Sequence, residues 1–144
     1  ERKAELRHVN PVTTSALTML TTGAREPSWR GSPWVSRLRY FDPDRDRAGL
    51  PADVSALVDE MDEKDVWVTL VNLSEKEPRT VVIQGGAYAE HGLVTVEPEG
   101  EEGRNLEKNA FAVVLSPGCG RRFRIEMDRF ARTPTFEFPW RRRN

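Results

Sequence analysis

Apolar and polar side chains alternate along much of the chain from residue 34 onward. Residues 34–40 alternate with a period of two, which is typical of a strand with one buried face. Runs rich in β-branched and aromatic residues predict further strands at residues 65–72, 79–84, 91–96, 110–115 and 122–127. The sequence offers no series of crossover helices, which a parallel sheet requires. The pattern therefore predicts a mainly β protein, an antiparallel β-sandwich of the immunoglobulin-like kind.

One short helix and one hairpin are predicted from local signals. Apolar residues recur at helical spacing after Pro51, so residues 51–61 are predicted to form the helix. The apolar positions are Val54, Leu57, Val58 and Met61. The polar residues 74–78 lie between two strand-like runs and predict that these runs form a hairpin. The alternating aromatic residues of the tail, 134–140, are expected to dock as an edge strand or as an anchor.

The first third of the chain has a different composition. Residues 10–34 are rich in Thr, Ser, Gly and Pro and show no sustained period. A long irregular segment of this kind is unusual inside a compact domain. We therefore divide the chain into an extended N-terminal segment, residues 1–34, which packs on the sandwich or on a neighbour, and a β-sandwich domain, residues 35–144.

The balance of charges limits the partners to be expected. The 144 residues include 22 basic and 23 acidic side chains, so no overall positive field attracts nucleic acid or an anionic membrane. No apolar run approaches the roughly 20 residues of a membrane span. Cys119 is the only cysteine, so no intramolecular disulfide can form. A reducing compartment, the cytoplasm, is thereby slightly favoured, although the sequence does not establish the compartment.

The residues with the most chemical potential cluster in the Gly-rich stretch 85–91. Tyr88, Glu90 and His91 bring a phenol, a carboxylate and an imidazole close together, and imidazole titrates near neutral pH. Adjacent residues of a strand point to opposite faces, so Glu90 and His91 are not expected to act together unless a bulge intervenes. The favoured interpretation is a hairpin exit in which Tyr88 caps the core and His91 forms a local hydrogen bond.

No catalytic residue, cofactor or metal site is assigned from the sequence. Residues 42–53 imitate the acidic spacing of a calcium loop, but Arg47 stands where such a loop needs Gly for its sharp turn. Arginines alternate with aromatic residues between positions 121 and 132, a combination that can bind single-stranded nucleic acid. A strand with one apolar side toward the core explains the same residues more simply.

Large aromatic side chains are the candidates for contact with a ligand or partner. Trp29, Trp34 and Trp140 could stack on sugar rings or bury against a neighbouring domain. Tyr88 and His91 complete the set of candidate contact residues for carbohydrate or a partner protein.

Two segments between residues 67 and 130 resemble a known class of domain. The run VTLVNLSEKEPRTVVIQGGAYAEH is followed, after a charged loop, by VVLSPGCGRRFRIEM. This order of strands and turns resembles the C-terminal β-sandwich domains that follow the catalytic barrel in many large bacterial carbohydrate-active enzymes and their uncharacterised relatives. The resemblance covers somewhat under half of the chain and implies a domain that packs on a neighbour.

Three functional hypotheses remain open. The first is a non-catalytic accessory β-sandwich domain, the C-terminal part of a larger bacterial protein, that mediates interaction with a neighbouring domain or subunit. The second is a carbohydrate-binding module that uses exposed tryptophans. The third is a subunit that contributes Tyr88, Glu90 and His91 to an enzyme site. Neither nucleic acid nor a membrane is expected as a partner.

Overall fold

Two antiparallel sheets pack face to face in the computed structural model, which describes residues 14–25 and 35–142. The strands of these residues are β1 (Leu38–Asp42), β2 (Arg47–Ala48), β3 (Val54–Met61), β4 (Asp65–Asn72), β5 (Arg79–Gly85), β6 (Gly92–Pro98), β7 (Arg104–Lys108), β8 (Ala110–Leu115) and β9 (Gly120–Asp128). The first sheet has the strand order β2-β1-β5-β8, and the second sheet has the order β3-β4-β9-β6-β7. The predicted mainly β, antiparallel sandwich is confirmed.

The core lies between the two sheets and is built from alternating side chains. In β4, Val66, Val68 and Leu70 are fully buried, whereas the residues between them face outward. In β9, Phe123 and Ile125 point into the same core. Each buried Val, Leu or Phe stabilises the fold by about 1.5–3 kcal/mol relative to an exposed position. Period-two burial in both sheets therefore holds the sandwich together.

The predicted helix at residues 51–61 is wrong, because Val54–Met61 forms strand β3 at an edge of the second sheet. Val54, Ala56 and Val58 are its buried positions, so the apolar period is two. A spacing of four residues fits a strand face as well as a helix face. Pairing with β4 decides between the two, because it satisfies the backbone and covers the apolar face.

The predicted hairpin between residues 65–72 and 79–84 is also wrong. Strand β4 pairs with β3 and β9 in the second sheet, while β5 pairs with β1 and β8 in the first sheet. The polar connection at residues 73–78 thus crosses from one sheet to the other. Strand β7 occupies residues that were expected to be a loop, because its mostly exposed side chains give almost no apolar signal.

Part of the N-terminal segment is helical. Residues Ser15–Thr22 form helix α1, which ends at Gly23 in the left-handed conformation (φ 62°) with its N–H donating to the Met19 carbonyl. Helix α1 packs against β3, so these residues are not extended as expected. The proposed division at residue 34 lies outside the described residues and stays a prediction.

The tail crosses the outer face of the first sheet. Phe138 and Trp140 make edge contacts with Phe41 of β1, at ring-centroid distances of 5.5 and 6.0 Å. The segment Pro139–Arg141 forms a short 3-10 helix and adds no strand to the sheet. Of the two expectations for the tail, the anchor is the one observed.

Candidate functional site

The connection from β5 to β6 is a tight turn with two left-handed residues. Gly86 (φ 84°) and Ala89 (φ 62°) reverse the chain, and a Cβ at Gly86 would overlap the carboxylate of Glu90. That carboxylate lies inside the turn, where its Oε2 accepts a hydrogen bond of 2.7 Å from the Tyr88 N–H. Glycine is needed at position 86 for both its backbone angle and its missing side chain.

The turn brings Glu90 and His91 together. Glu90 Oε1 lies 4.0 Å from His91 Nε2, and both side chains are buried. The expectation that these neighbours point to opposite faces is wrong, because both residues precede β6 and follow the left-handed Ala89. Alternation holds only in extended backbone.

His91 is fully buried and has one satisfied ring nitrogen. Its Nδ1 accepts a hydrogen bond of 3.1 Å from the Phe130 N–H, and the two rings meet edge to face at 4.8 Å. The neutral ring must then carry its proton on Nε2, which has no hydrogen-bond partner. Burial lowers the pKa of His91, against an opposing effect of the Glu90 carboxylate. Neutral His91 therefore presents a donor at Nε2, and its lone pair at Nδ1 is already engaged.

His91 lines a polar cavity of about 450 Å³ at one end of the sandwich. The other residues that line it are Gly23, Arg25, Val35, Ser36, Arg37, Met61, Asp62 and Arg129. Ser36 is also buried, and its hydroxyl has no hydrogen-bond partner. Two buried polar side chains without hydrogen-bond partners, Ser36 and His91, thus line the same cavity as three arginines and one aspartate.

Tyr88 does not belong to this cavity. Its ring meets Phe136 edge to face at 5.3 Å, and its carbonyl accepts a hydrogen bond of 2.7 Å from the Thr135 N–H. Tyr88 therefore holds the tail against the turn. The structure joins Glu90 with His91 and places Tyr88 in a different contact.

Trp140 lies beside a larger cleft. Its side chain is 39% exposed, and its indole N–H donates to Asp46 Oδ1 at 3.0 Å. The cleft has a volume of about 740 Å³ and is lined by Val82, residues 107–112, Arg132, Pro139, Trp140 and Arg142. Trp29 and Trp34 lie outside the described residues, and Trp140 is the one of the three candidate tryptophans that lies within them.

Strand β8 is an edge of the first sheet, and among the described strands it pairs with β5 alone. Its sequence, AFAVVL, contains neither a charge nor a proline, and Val114 is 62% exposed. A second cavity, of about 410 Å³, borders its inner side. It reaches the core residues Val96, Phe111 and Phe123. The charged side chains of Glu101, Glu102, Arg104 and Arg121 also line this cavity, so its mouth combines an apolar floor with a polar rim.

The arginines of β9 pair with carboxylates of the same chain. Arg122 Nε lies 3.2 Å from Asp59, and Arg124 lies 3.1 Å from Asp65. In residues 42–53, the buried Asp42 pairs with Arg47 at 3.1 Å. Within the described ranges, no three His, Cys, Asp or Glu side chains come together as a metal site, and no helix is long and apolar enough to cross a membrane.

The fold and its sites define an antiparallel β-sandwich with a polar cavity at one end and an unpaired apolar edge. No family model, curated protein or solved structure matches the chain. Sequence reasoning found Glu90 and His91 but missed Ser36, Arg37 and Arg129. These three belong to distant parts of the chain and carry no motif, so only the folded structure brings them to one cavity.

Proposed function

We propose that this chain is a non-catalytic interaction domain that binds an extended segment of a neighbouring domain or subunit along β8. The observation that carries the proposal is the unprotected edge of this strand. Natural sheets protect their edges with charges, prolines or bulges, and β8 has no charge or proline over its six residues. An edge of this kind offers backbone donors and acceptors to an incoming strand.

The cavity beside β8 supports the same conclusion. An added strand would direct alternate side chains into the cavity, toward Val96 and Phe123. Apolar side chains at those positions would fill the mouth of the cavity and pack over core residues that are themselves already buried. Burial of apolar area is the main source of affinity in such a contact.

The partner is better explained as a different sequence than as a second copy. The inward side chains of β8 are Phe111, Val113 and Leu115, and all three are buried in their own core. In a symmetric pair of β8 strands, they could not leave that core to fill the cavity of the other copy. A neighbouring segment with free apolar side chains has no such conflict.

Site-specific photocrosslinking in the full-length protein tests this proposal. A photoreactive phenylalanine at position 114 is expected to capture one extended, alternating segment of a neighbour, identified by mass spectrometry. Position 17 is the matched control, because Leu17 is 63% exposed and lies in helix α1, which packs against β3 of the other sheet. Equal capture at both positions, no capture at 114, or capture of β8 itself would each contradict the proposal.

A charge on the edge gives a second test. Val114→Lys adds the kind of charge that protects natural edge strands, and its exposed side chain leaves the core unchanged. With the photoreactive residue at the exposed position 112 of β8, we expect Val114→Lys to abolish the crosslink to the neighbour, while Leu17→Lys preserves it. Equal effects of the two variants would show that β8 has no special role.

Carbohydrate binding is a second candidate, favoured by the cleft beside Trp140. The cleft combines an aromatic face with the polar side chains of Asn109, Arg132 and Arg142. Titration with a panel of polysaccharides should then shift tryptophan fluorescence in the wild-type chain and in Trp67→Phe, but not in Trp140→Phe. A shift that survives in Trp140→Phe, or no shift in the wild type, contradicts this function.

The enzyme hypothesis receives no comparable support. A general base needs an accessible lone pair, and the lone pair of neutral His91 is bound to the Phe130 N–H. Tyr88 contacts the tail and does not converge on Glu90 and His91 through its ring. We therefore do not propose a reaction for these residues.

A further inference from the structure

Four elements meet at the polar cavity that His91 lines. The N–H of Arg37 donates to the Thr22 carbonyl at 3.1 Å, which joins the start of β1 to the end of α1. The Arg37 carbonyl accepts from the Gly86 N–H at 2.8 Å, which adds the β5–β6 turn. Arg129 follows the last residue of β9. Backbone hydrogen bonds thus fix the walls of the cavity.

Two buried donors of this cavity have no partner. They are the Nε2–H of His91 and the hydroxyl of Ser36, both in almost fully buried side chains. Leaving such a group unsatisfied costs about 1–3 kcal/mol, and native proteins retain few of them. Two at one cavity indicate that something with acceptor atoms completes the site.

The charges around the cavity favour an anion. Three of its residues are arginines, Arg25, Arg37 and Arg129, and none of them pairs with a carboxylate side chain among the described residues. Burial lowers the pKa of Arg37, and the nearby Arg129 lowers it further. The Asp62 carboxylate offsets part of the charge of Arg37, but three guanidinium groups against one carboxylate in the lining favour a negative ligand.

The acidic groups at the same place are already engaged. Asp62 Oδ1 accepts hydrogen bonds from the Lys64 and Asp65 N–H groups, at 2.9 and 2.8 Å. Glu90 Oε2 accepts from the Tyr88 N–H inside the turn, but its Oε1 lies 4.0 Å from His91 Nε2, so the arginines must outweigh this negative charge for an anion to bind there. Arg37 donates to the Asp62 and Glu63 carbonyls, so its guanidinium is held at the rim by neutral acceptors.

We infer that this cavity binds a small oxyanion, a carboxylate or phosphate group, through His91 Nε2, the Ser36 hydroxyl and the Arg129 guanidinium. Arg129 stacks over Phe130 at 5.3 Å, which orients a planar group with several donors. Charge-assisted hydrogen bonds from such donors to an oxyanion are among the strongest in proteins. The site is separate from β8 and does not depend on the proposed function.

Binding is tested with inorganic phosphate and acetate as probes on the 144-residue chain. We expect a saturable change in the His91 ring signals by NMR, with half-saturation below about 10 mM for at least one anion. The better probe identifies the ligand as a phosphate or a carboxylate. No saturable change with either anion would overturn the inference and leave solvent as the occupant.

Two variants separate this site from general surface attraction. Arg129→Gln is expected to weaken binding by at least about tenfold, and Ser36→Ala by about threefold. Arg104→Gln is the matched control, because Arg104 also stacks on an aromatic ring, that of Phe111, but lies outside the cavity. Unchanged affinity in Arg129→Gln, in a variant whose NMR spectrum remains folded, would overturn the assignment.

Discussion

Asn72 at the end of β4 and His91 just before β6 are both buried polar residues, but the structure satisfies only one of them. The amide nitrogen of Asn72 donates to three backbone carbonyls, and its Oδ1 accepts from the Ser74 N–H at 3.0 Å. The carbonyls belong to Glu77, Leu115 and Ser116. His91 uses Nδ1 and leaves Nε2 without a partner.

The difference separates a structural role from a binding role. Asn72 joins the end of β4 to the ends of β5 and β8, and it has no capacity left for a ligand. It also begins the tripeptide Asn72-Leu73-Ser74, which matches the N-glycosylation pattern. The side-chain nitrogen that a glycan would modify is buried and donates a hydrogen bond within the fold. His91 keeps one donor free at a cavity with arginines. A buried polar group with a full set of hydrogen bonds specifies the fold, whereas an incomplete set points to a site.

The largest expected effect is at Asn72. Asn72→Ala leaves several buried backbone groups without partners, so it should reduce the free energy of unfolding by about 3 kcal/mol. Denaturant titration measures the loss. Asn105→Ala, at an exposed position of β7, is the control and should change stability by less than about 0.5 kcal/mol. A loss at Asn72 as small as the control would remove the contrast with His91.

The next effect tests how tightly the turn around Glu90 is built. Gly86→Ala needs an unfavourable backbone angle and displaces the Glu90 carboxylate, so it should cost about 2 kcal/mol. Gly100→Ala is the matched control, because Gly100 has φ 78° and no atom within 4 Å of the added Cβ. It should cost about 1 kcal/mol. If urea titration shows that both variants lose the same free energy of unfolding, the contact between residue 86 and the Glu90 carboxylate does not affect stability.

The strands were predictable where the signal is local. Residues 65–72 and 110–115 were predicted with the bounds that β4 and β8 have, because their alternation is complete over each strand. The helix at residues 51–61 was wrongly predicted because Val54 and Val58 lie four residues apart. This spacing places two side chains on the same face of either a helix or a strand. Which sheet each strand joins is a tertiary property, so the hairpin of β4 with β5 was wrongly predicted.

The candidate site was predictable only in part. A local hydrogen bond was expected for His91, but its partner is the Phe130 N–H, 39 residues away in the chain. Its approach to Glu90 depends on the left-handed Ala89, and alanine gives no sequence signal for that conformation. Ser36 and Arg129 lie in distant segments: Ser36 falls on the same face as the buried Leu38 and Tyr40, Arg129 directly follows β9, and neither belongs to a motif for anion binding. Ser36 and Arg129 come to the same cavity because of the order of the strands in the two sheets. The alternation of apolar and polar residues within one strand does not predict that order.

The pH dependence of stability should show that His91 is buried with one ring nitrogen that lacks a hydrogen-bond partner. Burial holds the pKa of His91 in the folded chain below its unfolded value near about 6.5. The folded form therefore resists protonation, and stability is full above that pH and falls as pH falls through the folded pKa. Between pH 7.5 and 5.5, the wild type should therefore lose more stability than His91→Gln.

Denaturant titrations of both proteins at the two pH values check this prediction. His8 is present in both chains, so its titration cancels in the difference. An equal loss in the two proteins would mean that the His91 pKa does not change on folding. A greater loss in His91→Gln would mean that the Glu90 carboxylate outweighs burial.

The smallest effect compares one serine from each region. Ser74 Oγ accepts a hydrogen bond of 3.1 Å from the Glu77 N–H in the satisfied turn, so Ser74→Ala should cost about 1 kcal/mol. Ser36 is buried with an unpartnered hydroxyl, so Ser36→Ala should be neutral or stabilise by up to about 0.5 kcal/mol without an added anion. Denaturant titration of both variants, with and without phosphate, measures this. The same cost for both serines in the absence of anions would show that Ser36 has a partner within the fold, and the contrast between the two regions would then rest on His91 alone.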